Sequence, residues 1–155
     1  MLFRRLPIAD AVFSLERLPA GLLEHPRDSV TLGWQDRTAP RARLRTEGGV
    51  EFGTSLAPGV VLRNGDCLAL EQPRLVVVVR ELEEPVLVAR TASAGQAARW
   101  AYSIGNSHQP LMISDDALVC ADVPGMEQVL TYHAIPFTRE RRTFTPESQG
   151  PEHHR

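Results

Sequence analysis

Short alternations of apolar and polar positions fill the first half of the chain. "SVTLGW" alternates among residues rich in β-formers, and "RARLR" continues with the same period of two. The glycine pair in "TEGG" supplies a turn before "VEFGTSL" resumes the strand pattern. Pro58-Gly59 and then Asn64-Gly65-Asp66 punctuate "APGVVLRNGDCLAL", the latter being a hairpin signal of the Asn-Gly type. "RLVVVVREL" shows no alternation and, as a strand, is buried on both faces. Short strands so evenly spaced predict a small β-sandwich or curled sheet.

The pattern changes after Glu83-Glu84-Pro85. "VLVAR" is a strand, and "TASAGQAARWAYSIGNSH" opens with a Thr or Ser cap and runs alanine-rich, which predicts a helix stopped by Gly105, Asn106 and Pro110. "PLMISDDALVCADV" gives two short strands around an Asp115-Asp116 turn. "PGMEQVLTYHAI" places Met126, Val129, Leu130 and His133 at helical spacing, with Pro124 suited to a first turn. "TRERRTFTPE" offers a last strand. Strand, helix, strand, strand, helix, strand is the ferredoxin-like order. The expected fold is therefore α+β: a small N-terminal β-sheet or sandwich domain over residues 1–75, then a ferredoxin-like (βαββαβ) domain over 76–147. The change of character falls between residues 72 and 85, and residues 148–155, which lack core-forming side chains, are expected to be a short disordered tail.

Composition narrows the function classes. A chain of 155 residues can form one ordinary domain or two small ones. Two domains of roughly 70 residues are each thinly stabilised alone, a weakness that oligomerisation relieves. A net charge of -2 argues against a general nucleic-acid binder. The local basic cluster of Arg37, Arg41, Arg43 and Arg45 is first a solvated strand face and only weakly a partner patch. No segment approaches the roughly 20 apolar residues of a membrane span. Arg4, Arg5, Asp10, Glu16 and Arg17 interrupt the N-terminal stretch, which excludes a signal peptide. Cys67 and Cys120 lack CxxC spacing and stand among apolar neighbours, as buried free thiols of a reducing cytosol do. A cytoplasmic protein is expected.

Catalytic patterns are missing. There are no paired acids at helical spacing, no serine elbow, no phosphate-binding glycine loop and no HExxH, and neither Ser55 nor Ser93 has an activating base in its sequence context. An enzyme is not expected. Among the histidines, His25 precedes Pro26 in an early loop and is expected to be solvated, while His133 shares the spacing of core residues and is a core or boundary residue. Asp115 and Asp116 form a turn rather than an acid-base couple. His108, in "AYSIGNSHQP", is by itself a turn residue or a cation set against a helix C-terminus. Divalent transition metals want four or more donors, and imidazole suits nickel, copper and zinc, so one histidine makes no site.

The wider context bears on that point. "TLGWQDR", "RARLRTEGGVEFGTSLAPGVVLRNGDCLAL", "VRELEEPVLVAR", "WAYSIGNSHQPLMI" and "RRTFTPE" together resemble the urease accessory protein UreE family of nickel metallochaperones, from about Ser29 to Glu147. The Gly-Asn-x-His-x-Pro signature followed by an apolar strand is the specific part. The resemblance implies a homodimer formed through the ferredoxin-like domains, with His108 of each copy facing its counterpart across the two-fold axis and nickel, as cargo rather than catalytic cofactor, between them. A two-fold axis doubles every donor beside it. Further donors would come from the tail, where His153 and His154 are the available pair, although both also fit ordinary tail residues. Zinc and copper are the expected competitors. Family members often carry a histidine or acid where Ser103 stands and an arginine where Ser107 stands. "CADVPGMEQVL" offers Asp122 but no histidine, which leaves a second, peripheral metal site unsupported. The implied partners are the urease accessory GTPase and the urease apoprotein complex, with neither nucleic acid nor membrane. Because imidazole coordinates through neutral nitrogen, nickel affinity is expected to weaken as pH falls through about 6.5. The alternative reading is a metal-independent, chaperone-like interaction module whose first domain binds extended peptide along an edge strand.

Overall fold

In the computed structural model, which describes residues 5–148, the chain divides between Leu82 and Glu83 into two units. The first contains strands β1 (Ile8–Ala9), β2 (Val12–Ser14) and β3 (Arg27–Leu32), helix α1 (Trp34–Thr38), and strands β4 (Arg43–Arg45), β5 (Glu51–Thr54), β6 (Asp66–Leu70) and β7 (Leu75–Glu81). They form a three-stranded sheet in the order β1-β5-β4 and a four-stranded sheet in the order β2-β6-β7-β3. The valine run of β7 lies between β6, antiparallel, and β3, parallel. A central strand covered on both faces needs no polar alternation, and Leu75, Val76, Val77 and Val79 are all buried. Inward residues of the two sheets, Ala9, Leu44 and Phe52 from one and Val30, Leu68, Leu70 and Val77 from the other, share one core.

Three features of this unit differ from the sequence reading. β7 pairs along its length with β3 and β6, so the unit extends through Leu82, past the expected end at residue 75. Asn64-Gly65 does not turn a hairpin, because the preceding strand, β5, ends at Thr54 and lies in the other sheet; the β6–β7 hairpin turns at residues 71–74 instead. The Asn64 side-chain oxygen accepts from the Glu81 N–H at 2.6 Å, and the Gly65 N–H donates to Val79 O at 3.0 Å. The pair thus caps the end of β7, using the left-handed φ of +84° that glycine adopts freely. Third, the strand expected over "SVTLGW" ends at Leu32, and Gly33 caps a short helix, α1, that begins at Trp34. A helix of five residues has no stability of its own. Arg37 holds it: the side chain is fully buried, donates from Nε to Leu32 O at 3.2 Å and from Nη1 to Leu62 O at 3.3 Å, and pairs with Glu81 at 3.1 Å.

The second unit follows the expected order: β8 (Glu83–Arg90), α2 (Ala94–Asn106), β9 (Leu111–Ile113), β10 (Ala117–Ala121), α3 (Met126–Tyr132) and β11 (Thr138–Thr143). Its strands form one antiparallel sheet, β11-β8-β10-β9. Leu87, Ala89, Leu118 and Cys120 pack against Ile104 of α2, Met126 and Leu130 of α3, and Ile135. The Asp115-Asp116 turn joins β9 to β10, with the Ser114 N–H donating to Ala117 O at 2.9 Å. No helix of the described residues is long and apolar enough to cross a membrane.

Candidate metal centre

His108 owes its position to α2. Ser93 caps the helix, its hydroxyl accepting from the Gln96 N–H at 3.1 Å while the Gln96 side chain accepts from the Ala92 N–H at 2.8 Å. This is a variant of the capping box, reaching back to the residue before the cap, that fixes where the helix begins. Ala101 and Ile104, with Trp100, join the core, which fixes its rotation. Gly105 and Asn106 do not stop the helix but lie inside it, and Ser107 is the C-cap. The residue beyond takes the left-handed conformation that glycine or asparagine usually supplies. Here it is His108, with φ +56° and its N–H donating to Gly105 O at 2.9 Å. Pro110 then bars continuation of the helix. An exposed imidazole is therefore held at the end of α2 in a conformation that costs a non-glycine residue about 1–2 kcal/mol.

The neighbouring serines are already committed. Ser103 Oγ donates to Arg99 O and Ser107 Oγ to Ser103 O, each at 3.2 Å. On the solvent side of α2, Ala98, Tyr102 and Gly105 are exposed one turn apart, and Tyr102 is 73% accessible. They form a strip leading to His108, with the exposed Arg99 beside it.

The end of the described chain returns to the same neighbourhood. β11 is one edge of the sheet and β9 the other. After Thr143 the chain crosses to β9: the Thr145 N–H meets Met112 Sδ at 3.4 Å, the Glu147 N–H donates to Leu111 O at 2.7 Å, and the Ile113 N–H donates to Glu147 Oε1 at 3.4 Å. Leu111 faces the helices, so Met112 points to the opposite face, and the strap with its buried Phe144 runs across that side. The chain thus leaves β9 at Ser148, on the strand that begins three residues after His108. His153 and His154 lie outside the described residues.

The remaining candidates are accounted for. Asp122 pairs with Arg139 at 2.8 Å. His133 is half-buried at the C-cap of α3, its ring edge-on to Tyr132 at 5.0 Å between centroids. Cys67 and Cys120 are free and fully buried. Burial pushes the Cys120 thiol up to about 12 and raises that of Cys67, so neither supplies a thiolate at neutral pH. His25 is not solvated as expected. It is half-buried beside an open groove of the first unit, with Nδ1 shielded from water and no partner among the described residues. Among the described residues, no three His, Cys, Asp or Glu side chains converge. Donors to a metal at His108 must therefore come from beyond them or from another molecule. The site residue that sequence reasoning could not place was the strap, whose contacts with β9 are made by residues more than thirty positions apart.

Comparison with known proteins covers both units. Residues 14–80 match the UreE urease accessory protein N-terminal domain, and residues 84–155 match the UreE urease accessory protein C-terminal domain. The urease accessory protein UreE of Rhodobacter capsulatus is 36% identical over 131 residues, which is 84% of this chain and 81% of that protein. Its counterpart in Paracoccus denitrificans is 36% identical over 126 residues, covering 81% and 78%. That of Deinococcus radiodurans is 31% identical over 139 residues, covering 90% and 86%.

Proposed function

Since the chain belongs to the UreE family of urease accessory proteins, and so serves urease maturation as an accessory protein rather than as an enzyme, we propose that it carries nickel on His108 at the two-fold axis of a homodimer. The observation that supports this most is the exposed His108 held in left-handed backbone at the end of α2. Strained non-glycine backbone clusters where function over-determines conformation. One imidazole per chain becomes two at an axis. The exposed face of Ala98, Tyr102 and Gly105 beside it, bordered by the exposed Arg99, offers an aromatic side chain to an approaching second copy.

His153 and His154 complete the donor set in this reading. His153 stands five residues beyond Ser148, and an extended chain covers at most roughly 3.3–3.6 Å per residue, so its reach from β9 is about 17 Å. Leu111, where the strap meets β9, lies within about 11 Å of chain from His108. Water fills the rest of the shell. A site so exposed and incompletely filled exchanges its ion readily, whereas a structural site is closed. The cargo then passes in the cytoplasm to the urease accessory GTPase and the urease apoprotein, with zinc and copper as competitors.

Titration calorimetry with nickel tests this on the wild type, His108→Ala and a chain ending at Gly150. The expected stoichiometry is half an ion per protomer, retained at reduced affinity after truncation and lost in His108→Ala. One ion per protomer, or a His108→Ala protein that binds as the wild type does, would refute the two-fold site.

A further inference from the structure

The first unit carries an arginine stripe on an open sheet edge that the nickel reading does not use. β4 is the terminal strand of the sheet β1-β5-β4. Its register with β5 pairs Arg43 with Gly53, Leu44 with Phe52 and Arg45 with Glu51. The Thr54 N–H donates to Ala42 O and the Thr46 N–H to Val50 O, both at 2.9 Å, so the even-numbered residues turn their backbone groups toward β5. By antiparallel alternation, the N–H and C=O of Arg43 and Arg45 point to the open edge. No hydrogen bond from the described residues reaches them.

The side chains of the same residues stand on the solvent face. Leu44 is buried, whereas Arg41, Arg43 and Arg45 are exposed. Arg43 meets Glu51 only at 3.5 Å with 72% of its side chain accessible, and Arg41 and Arg45 have no ion pair among the described residues. Gly53, opposite Arg43, is buried beneath the side chains of Ile8 and Leu6, and Ile8 of β1 is itself 52% exposed. Three cations at alternate positions, outward backbone groups and an adjoining apolar spot thus coincide in a protein whose net charge is -2.

We propose that the β4 edge is a docking site for an extended acidic segment of a partner protein, added as a fourth strand with carboxylates at alternate positions facing Arg41, Arg43 and Arg45. Side chains two residues apart on a strand share a face at a spacing of about 6.6–6.8 Å, so an acid-x-acid segment in register matches the stripe. Main-chain bonds to Arg43 and Arg45 supply affinity, and the alternating charges supply register and sign. Polyanion binding by charge alone would use neither the backbone groups nor the register.

Fluorescence anisotropy on the full chain tests the proposal with five labelled probes: Glu-Val-Glu-Val-Glu-Val-Glu, its lysine counterpart, a peptide of the same composition with the glutamates contiguous, and the alternating peptide N-methylated on its valines or, separately, on its glutamates. The alternating acidic peptide is expected to bind best. One of the two methylation patterns should lose about tenfold by removing edge hydrogen bonds. Arg43→Glu/Arg45→Glu should lose at least about tenfold while retaining its far-UV circular dichroism and its nickel stoichiometry. Arg43→Gln/Arg45→Gln, with a milder loss, covers the case in which charge reversal unfolds the unit. Equal binding of the contiguous and alternating peptides, indifference to both methylation patterns, tighter binding of a single-stranded oligonucleotide, or no binding would each overturn the proposal.

Discussion

At the scale of single residues, the left-handed position after α2 joins local strain to the proposed nickel ligand. Glycine there removes the Cβ penalty, so His108→Gly is expected to raise stability by about 1 kcal/mol while losing nickel. His108→Ala loses nickel without that gain. Urea denaturation paired with calorimetry separates the two variants, and a glycine variant less stable than the alanine one would contradict the account. Ala134, at φ +54° after α3, is the internal control: Ala134→Gly should gain a similar amount and leave nickel binding unchanged. Arg37 sets the opposite extreme. Its buried pairing with Glu81 and its bonds to Leu32 and Leu62 tie α1 to the loop before β6 and to the end of β7. Arg37→Met leaves Glu81, at 13% exposure, to the longer pair with the exposed Arg63 at 3.5 Å and removes the donors to Leu32 O and Leu62 O, and a loss of about 3 kcal/mol in denaturant melts is expected.

At the scale of elements, β11 and β8 are joined by charge as well as by the ladder. Arg90 of β8, then Thr138 and Arg142, hold the Glu140 carboxyl down to about 2 from an ordinary 4.5. A folded-state value below the unfolded one means that the charged form stabilises the fold. That contribution is complete above about pH 4.5 and disappears as pH falls toward about 2. Glu140→Gln should therefore melt below the wild type at pH 6, with the gap closing between pH 4 and pH 2. A gap that is constant across that range would count against the assignment. β10 yields a chemical test: with its thiol pushed up to about 12 by burial, Cys120 should resist an aromatic disulfide reagent in the native protein and react after denaturation. Much of the second unit was legible at this scale. Val129 and Leu130 keep helical period, and the Ser93 cap and the Asp115-Asp116 turn are local signals, so βαββαβ followed directly. α1 and the β7-capping role of Asn64-Gly65 were not legible, because each depends on partners distant in sequence, Leu62 for Arg37 and Glu81 for Asn64.

At the scale of the whole molecule, the proposed metal residues fall after Glu83 and the arginine stripe falls before Leu82, so carrying an ion and meeting an acidic partner belong to different units. A ligand shared by two copies stabilises only the pair. Saturating nickel should therefore raise the melting temperature more at high protein concentration than at low, and not at all in His108→Ala. A nickel shift independent of protein concentration would point to a site completed within one chain.

Sequence alone determined the class of each regular segment whose faces alternate or turn with a fixed period, the identity of His108 as the residue after a helix, and membership of a family. Period and capping are properties of neighbours along the chain, which is why they survive without a structure. The tertiary structure decided what those neighbours meet: that Arg37 is buried against Glu81, that β7 belongs to the first unit, that His25 is half-covered, and that the strap brings residues 144–147 back beside the strand following His108. Each of these is a pairing between positions far apart in sequence, set by which backbone groups and apolar faces are left to be satisfied once the local elements have formed.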